Sequence, residues 1–212
     1  MSMEVVVKTY LVKESTVQKG RPREFDTDVA LDKALHVFWR QGYEGASLTD
    51  LTEAMGISRP SLYAAFGNKE DLFRRALDRY SESGPGATIR EAMSEPTARA
   101  VAQRLLHGAA KCLTDPDNPR GCLAVQGALT CGDAAGSIKD ELCNRRAAGE
   151  AALRARFERA KTEGDLPNDA CPQALARFIT TVQQGMSVQA AGGASRDDLM
   201  AVADMALKAW PA

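Results

Sequence analysis

SLTDLTEAMGISRPSLYAAFGNKEDLF, residues 47–73, is the stretch around which the chain is organised. Leu48, Leu51 and Met55 recur at helical spacing, which gives a short first helix one apolar face. Gly56 follows where a helix end favours a residue that tolerates positive φ. Ile57 is apolar and suits the corner. Ser58 stands at an N-cap position, and Pro60 falls near the first helical positions, where a missing N–H does no harm. Leu62 and Phe66 lie one turn apart and face the first helix; Gly67 and Asn68 close the second. The pattern predicts two short helices at a tight turn and the start of a third. That is a helix-turn-helix, whose second helix enters the major groove of DNA.

Outward from this segment the chain reads as all-α. Upstream, a helix over about residues 25–41 carries Leu31, Ala34, Leu35 and Phe38 as an amphipathic stripe, with Asp26 and Asp28 in its first turn and Gly42 as its stop. Ser47 is the N-cap of the next helix. Downstream, a helix from Asn68 or Lys69 turns Leu72, Phe73, Ala76 and Tyr80 inward. SGPG at 83–86 is the strongest breaker in the chain and is taken as a domain boundary. The expected units are an N-terminal extension (1–19), a helix-turn-helix domain (20–83) and a second helical domain (84–212). The second domain reads as helices over about 97–114, a short one from Cys122 interrupted near Gly132 and Gly136, then 137–163, 172–191 and 195–210. TDPDNPRG at 114–121 is a loop. The extension has no helical period and reads as a tail; no strand pattern occurs after residue 20.

Composition restricts the options. The chain has 212 residues, 44% apolar and 26% charged, ordinary for a globular protein with a sizeable core. Its net charge of −1 means that no global field draws it to nucleic acid. Residues 19–80 hold ten Lys/Arg against ten Asp/Glu, so DNA affinity must come from a few cations on one edge. No apolar run is long enough to span a bilayer and no leader layout is present, so a cytoplasmic location is expected. The five cysteines, Cys112, Cys122, Cys131, Cys143 and Cys171, are odd in number and lack CxxC spacing. Disulfides and a zinc site are therefore not expected, and no cofactor motif is found.

ISRPSLYAAFGNKEDLF resembles the signature of the TetR family of bacterial transcriptional regulators, strongly over about residues 20–80. The resemblance implies an all-helical homodimer with N-terminal DNA-binding heads and a C-terminal effector-binding core, paired through the last two helices. It also implies a repressor that a small molecule releases from its operator, and a twofold dimer implies that the operator is pseudo-palindromic. Arg59, Ser61, Ala64 and Ala65 are expected on the outer face of the second helix. Arg59 reads either as a donor to a guanine edge, worth about 1–3 kcal/mol of discrimination, or as a phosphate contact. Ala64 and Ala65 offer only methyl groups, where many relatives carry bulkier polar residues, so the base code is sparse. Ser47, Ser58, Tyr63 and Lys69 resemble the family's phosphate clamps. The alternatives are a core aromatic with a wet hydroxyl for Tyr63 and a free surface lysine for Lys69. Lys19, Arg21 and Arg23, in KGRPR, read either as a basic arm for DNA or as a solvated linker.

Two kinds of signal are considered for the second domain. Cys122 lies in PRGCLAVQ, after Arg120 and at a helix N-terminus, and both neighbours favour the reactive thiolate. A Gly-Cys at this place resembles a TetR subgroup that includes thiol-based sensors of electrophiles and oxidants. The competing reading is a small buried hydrophobe, and the other four cysteines read as packing or surface residues. A noncovalent effector would instead use His107, Gln126, Phe178, Gln183 and Met186. A thiol peroxidase or reductase built on Cys122 needs a base, yet the only histidines are His36 and His107. A helical scaffold without DNA binding is opposed by the intact 47–73 segment.

Overall fold

The computed structural model describes residues 25–82, 84–130, 132 and 135–211. The extension, Lys19, Arg21, Arg23 and Cys131 lie outside the described residues. Within them the chain forms ten helices: α1 (Thr27–Gly45), α2 (Leu48–Met55), α3 (Arg59–Phe66), α4 (Lys69–Glu82), α5 (Gly84–Met93), α6 (Ala98–Leu113), α7 (Leu123–Thr130), α8 (Gly136–Thr162), α9 (Pro172–Ala191) and α10 (Arg196–Lys208). No helix among them is long and apolar enough to cross a membrane.

The local chemistry of the first four helices explains their limits. Asp26 caps α1 by accepting from the N–H groups of Asp28 and Val29 at 2.8 and 3.2 Å. Ser47 and Asp50 form a reciprocal capping box at the start of α2. Gly56 ends α2 at φ 71°, ψ 33°, a left-handed conformation that a glycine takes without Cβ strain. Its neighbour Ile57 then donates its N–H to Thr52 O at 3.1 Å and turns the chain towards α3. The Ser58 hydroxyl accepts from the Ser61 N–H, with Pro60 in the first turn. Asn68 and Asp71 cap α4 reciprocally at 2.9 and 3.2 Å.

Two expectations about helix limits are corrected. Gly42 does not stop α1; it kinks it (φ 71°, ψ 179°), and the helix resumes to Gly45. The break expected at SGPG does not interrupt the described residues from 84 onward. Residues 84–93 form α5, with Pro85 in the first turn, where its lack of an N–H costs no hydrogen bond. Arg90 then donates to Ser81 O and Glu82 O at 2.8 and 2.7 Å, satisfying carbonyls at the end of α4.

The packing divides differently from the chain. One core joins α1–α4 through Phe38, Leu51, Leu62, Leu72 and Phe73, and it continues into Leu123 and Ala128 of α7 and Ile138 and Leu142 of α8. Phe38 meets Phe73 edge-on at 4.9 Å. Each of the fully buried leucines contributes roughly 1.5–3 kcal/mol over its exposed state. Arg79 locks α4 to α1 through two hydrogen bonds to Asp32, at 2.8 and 2.9 Å. The second core is built by α6, the C-terminal half of α8, α9 and α10 around Leu106, Phe157, Ile179 and Leu199. Thus α7 and the first part of α8 belong by packing to the N-terminal head.

Candidate nucleic-acid interface and core cavity

The short helix α3 presents one face to solvent. Leu62, Ala65 and Phe66 are buried, while Arg59, Tyr63 and Ala64 are exposed and Ser61 half-exposed. The expectation that Ala65 faces outward is corrected: with Leu62 and Phe66 at three and four residues' spacing, it falls on the inward side. Its carbonyl also accepts from Arg75 Nη1 at 3.0 Å. The outer face combines the small side chains of Ser61 and Ala64 with the longer Arg59 and Tyr63, which carry polar ends towards solvent. Arg59 Nη2 donates to Thr49 Oγ1 at 2.8 Å, which holds the guanidinium across the gap between α2 and α3. Ser58 shares a 2.9 Å hydrogen bond with the Ser61 hydroxyl. Lys69 is neither free nor fully solvated. Its ammonium lies 4.6 Å from the centre of the Tyr43 ring. Burial lowers its pKa, and Glu44 opposes that shift. The N-termini of α2 and α3 and the ammonium of Lys69 supply oriented donors for an anion such as phosphate.

Behind the head, a cavity of about 400 Å³ opens between α4, α5, α6, α7, α8 and α9. That volume lies within the range of small-molecule sites. Its walls include Leu77 and Tyr80 of α4, Met93 of α5, Leu105 and Cys112 of α6, and Cys122. Cys122 occupies the position just before α7, and its carbonyl accepts from the N–H groups of Val125 and Gln126. The expected activation by Arg120 is not what the structure shows, because Arg120 Nη1 reaches away to Ala194 O at 3.2 Å. The group on the thiol is the Tyr80 hydroxyl, which donates to Cys122 Sγ at 3.3 Å. Burial and the neighbouring thiol hold the Tyr80 phenol well above its ordinary pKa, so it remains a proton donor. The Cys122 N–H donates to Ser187 Oγ at 2.8 Å, anchoring the segment to α9.

The same segment is tied to the head. Trp39 of α1 donates from Nε1 to Gly121 O at 3.0 Å in a buried contact, and its ring meets Tyr80 edge-on at 4.8 Å. Gly121 has φ +85°, and a Cβ there would run into Gln126 Nε2 and lie 3.1 Å from Ser187 O. Head, cavity and α9 therefore meet at residues 121–122.

Of the residues expected to line an effector site, Cys122 and Gln183 border this cavity. His107 lies on an adjoining cleft, which shares Thr88, Gly108 and Cys112 with the cavity, and pairs with Asp204 at 2.8 Å. Met186 is only 1% exposed within the second core, and Phe178 is 40% exposed on the outside of α9. Gln126 is half-buried beside Gly121 rather than on the cavity wall. Helical periodicity identified these side chains as lying on packed helices but not which side of each helix faces the void. Cys112 was expected to be a packing or surface residue. It lines the cavity, with its sulfur 3.4 Å from Thr88 Oγ1. Trp39 and Arg145 also escaped sequence reasoning, since each pairs with a residue distant in the chain, Gly121 and Asp78; Arg146 escaped it although its partner, Cys143, is three residues away.

Comparison with known proteins agrees with this architecture. Residues 30–76 match the family described as bacterial regulatory proteins, tetR family, and residues 99–202 match the tetracyclin repressor-like C-terminal domain. The chain is 39% identical over 206 residues to the HTH-type transcriptional repressor ComR of Escherichia coli (strain K12), covering 96% of both. It is 30% identical to the repressor BdcR of the same organism, covering 92% of this chain and 94% of that one. Among solved structures it resembles a cysteine-substituted variant of the TetR family transcriptional regulator CifR in complex with 26-base-pair operator DNA. That likeness has a TM-score of 0.86 and 45% identity, covering 90% of this chain and 100% of that one. The chain belongs to the TetR family of bacterial transcriptional regulators.

Proposed function

We propose that this chain is a homodimeric repressor that reads a pseudo-palindromic operator with α3 and is released by a small molecule or an electrophile acting in the core cavity. The observation that carries the reading is the exposed face of α3, with Arg59, Ser61, Tyr63 and Ala64, on a head whose last helix, α4, also forms a wall of the cavity. Arg59 and Ser61 serve as base-edge or phosphate donors and Ala64 as a methyl contact. Ser47, Ser58, Tyr63 and Lys69 position the head on phosphates, and Lys19, Arg21 and Arg23 extend the contact as a basic arm. Operator DNA in the CifR complex and the repressor names of the relatives support this reading.

Dimerisation through α9 and α10 suits the apolar side chains that a single chain leaves uncovered there. Phe178 and Val188 on α9, and Val202 and Met205 on α10, are all at least 40% exposed. A helix pair from each protomer would cover them in a four-helix interface. By chain position, residues 20–83 are the DNA-binding domain and 84–212 the effector and dimerisation domain, acting in the cytoplasm. In the cavity, Cys122 or a noncovalent occupant would move the 121–122 segment, and Trp39 would pass the displacement to α1. Either signal must favour a head spacing that misses successive major grooves. The chain reads as a regulator rather than an enzyme, because the partner on the thiol is a phenol that stays protonated, not a base.

A fluorescence shift assay on the DNA upstream of the chain's own gene tests the proposal. One dimer per shifted duplex is the expected result. No shift with either that region or selected DNA would leave a helical scaffold as the surviving reading.

A further inference from the structure

The cavity wall is mostly apolar, and arginines are the main charged residues in it. Leu77, Met93, Leu105 and Leu153 supply aliphatic wall, and the lining also holds three arginines, Arg90, Arg145 and Arg146, against one carboxylate, Glu150. Most of these charges are already engaged. Arg90 is bound to the carbonyls at the end of α4. Arg145 is shared between Glu141 and Asp78, both at 2.7 Å. Glu150 accepts from Arg177 Nε at 2.7 Å and from the Thr180 hydroxyl at 3.4 Å. Arg146 differs: it is half-buried, and its hydrogen bond is to the Cys143 sulfur at 3.3 Å. No carboxylate lies within ion-pair distance of it among the described residues. A thiol is a weak acceptor for a guanidinium that carries five donors. A fixed positive fork beside an apolar void of this size is complementary to a molecule with an apolar body and a carboxylate head.

We infer that the cavity takes an amphipathic carboxylate, an alkyl or aryl acid, with its apolar body among Leu77, Met93, Leu105 and Leu153 and its head on Arg146. This rests on the reading of the cavity as the effector site and gives that site a chemical class. Recognition of the head is charge-assisted. An alcohol with the same body fills the void equally well but leaves Arg146 without an anion.

The test is isothermal titration of the full-length protein with decanoate against decan-1-ol, and with 2-naphthoate against 2-naphthylmethanol. Wild type is compared with Arg146→Gln, Arg146→Lys and Ala124→Phe, the last placing a ring at a half-buried position on the cavity wall. Helical circular dichroism confirms that each variant is folded. In wild type an acid of the panel is expected to bind about 10- to 100-fold more tightly than its alcohol, the span of a charge-assisted hydrogen bond. Arg146→Gln should abolish that preference and leave alcohol binding unchanged. Arg146→Lys should keep part of it, and Ala124→Phe should weaken both partners of a pair. Alcohols that match their acids, or a preference that survives Arg146→Gln, overturn the proposal. If acid and alcohol bind equally and Ala124→Phe blocks both, the cavity remains a ligand site and only the carboxylate class falls. If nothing binds, or Ala124→Phe blocks neither, both readings fall together.

Discussion

Replacing Trp39 by phenylalanine tests whether the head and the cavity segment are joined as the structure indicates. The indole N–H is the donor to Gly121 O at 3.0 Å, and phenylalanine lacks it. A buried carbonyl left without its partner costs about 1–3 kcal/mol. The smaller ring keeps part of the edge-on contact with Tyr80, a contact of the kind worth about 0.5–1.5 kcal/mol, so little is added there. For a chain of this size, about 1–3 kcal/mol lowers Tm by roughly 2–12 °C at fixed protomer concentration. The loss is local to residues 121–122, so opening of that segment should rise by up to the same free energy. Where opening precedes reaction, that corresponds to a roughly 5- to 150-fold faster alkylation of Cys122 by iodoacetamide. Mass spectrometry of each thiol gives the rates, with Cys143 and Cys171 as internal standards expected to be unchanged. Trp210→Phe is the matched control, since Trp210 packs on Phe157 in the second core, away from this segment. An unchanged Tm, or a lower Tm with Cys122 no faster than the standards, would refute the idea that this hydrogen bond holds the segment to the head.

Lys69→Ala should weaken binding to all DNA sequences alike and reduce the salt-dependence slope by up to about one unit; an unchanged slope in salt-titrated anisotropy removes Lys69 from the phosphate contacts. Gly121→Ala places a Cβ against Gln126 and Ser187 at φ +85°, a cost of about 1–3 kcal/mol by urea unfolding; full stability would show that the segment is slack. Mild electrophile treatment should modify Cys122 ahead of the other four thiols; peptide mapping that finds another cysteine first ends the thiol-sensor reading. Asp50 and Asp198 each accept from a capping serine, which lowers their pKa below the ordinary value of 3.8. A lowered folded-state pKa contributes stability above the unfolded value and loses it as pH falls through the folded one. The caps of α2 and α10 should therefore persist below pH 4 and fail only on further acidification; carboxyl NMR titration with midpoints at the ordinary value would contradict this.

The helix-turn-helix was legible because its signals are local. Gly56, Ser58 and Pro60 act within one turn of their own positions, and the Leu51, Leu62 and Phe66 pattern finds its partners inside a 27-residue segment. The last two helices were legible from the recurrence of apolar residues such as Leu175, Ile179 and Met186 in one and Leu199, Ala203 and Ala206 in the other. Helix α5 was missed because glycine and proline were weighed as breakers, although proline in a first helical turn is compatible with the helix. Ala65 was misplaced because a two-residue apolar stripe does not define which side of a short helix packs. The cavity was least legible. Its shape depends on contacts such as Tyr80 to Cys122 and Trp39 to Gly121, separated by 42 and 82 residues, which no spacing rule encodes. Cys122 was found through its local setting, but the reason offered, Arg120, proved to be engaged elsewhere.

The central claim is that a dimer presents two outward copies of α3 at a spacing set by the core. Selection of bound duplexes from a random pool, followed by sedimentation of the complex, tests it most directly. The expected result is enrichment of a sequence with twofold symmetry, half-sites about one helical turn or a multiple apart, and two chains per duplex. A strictly monomeric protein, or a pool that yields no symmetric sequence, would contradict it.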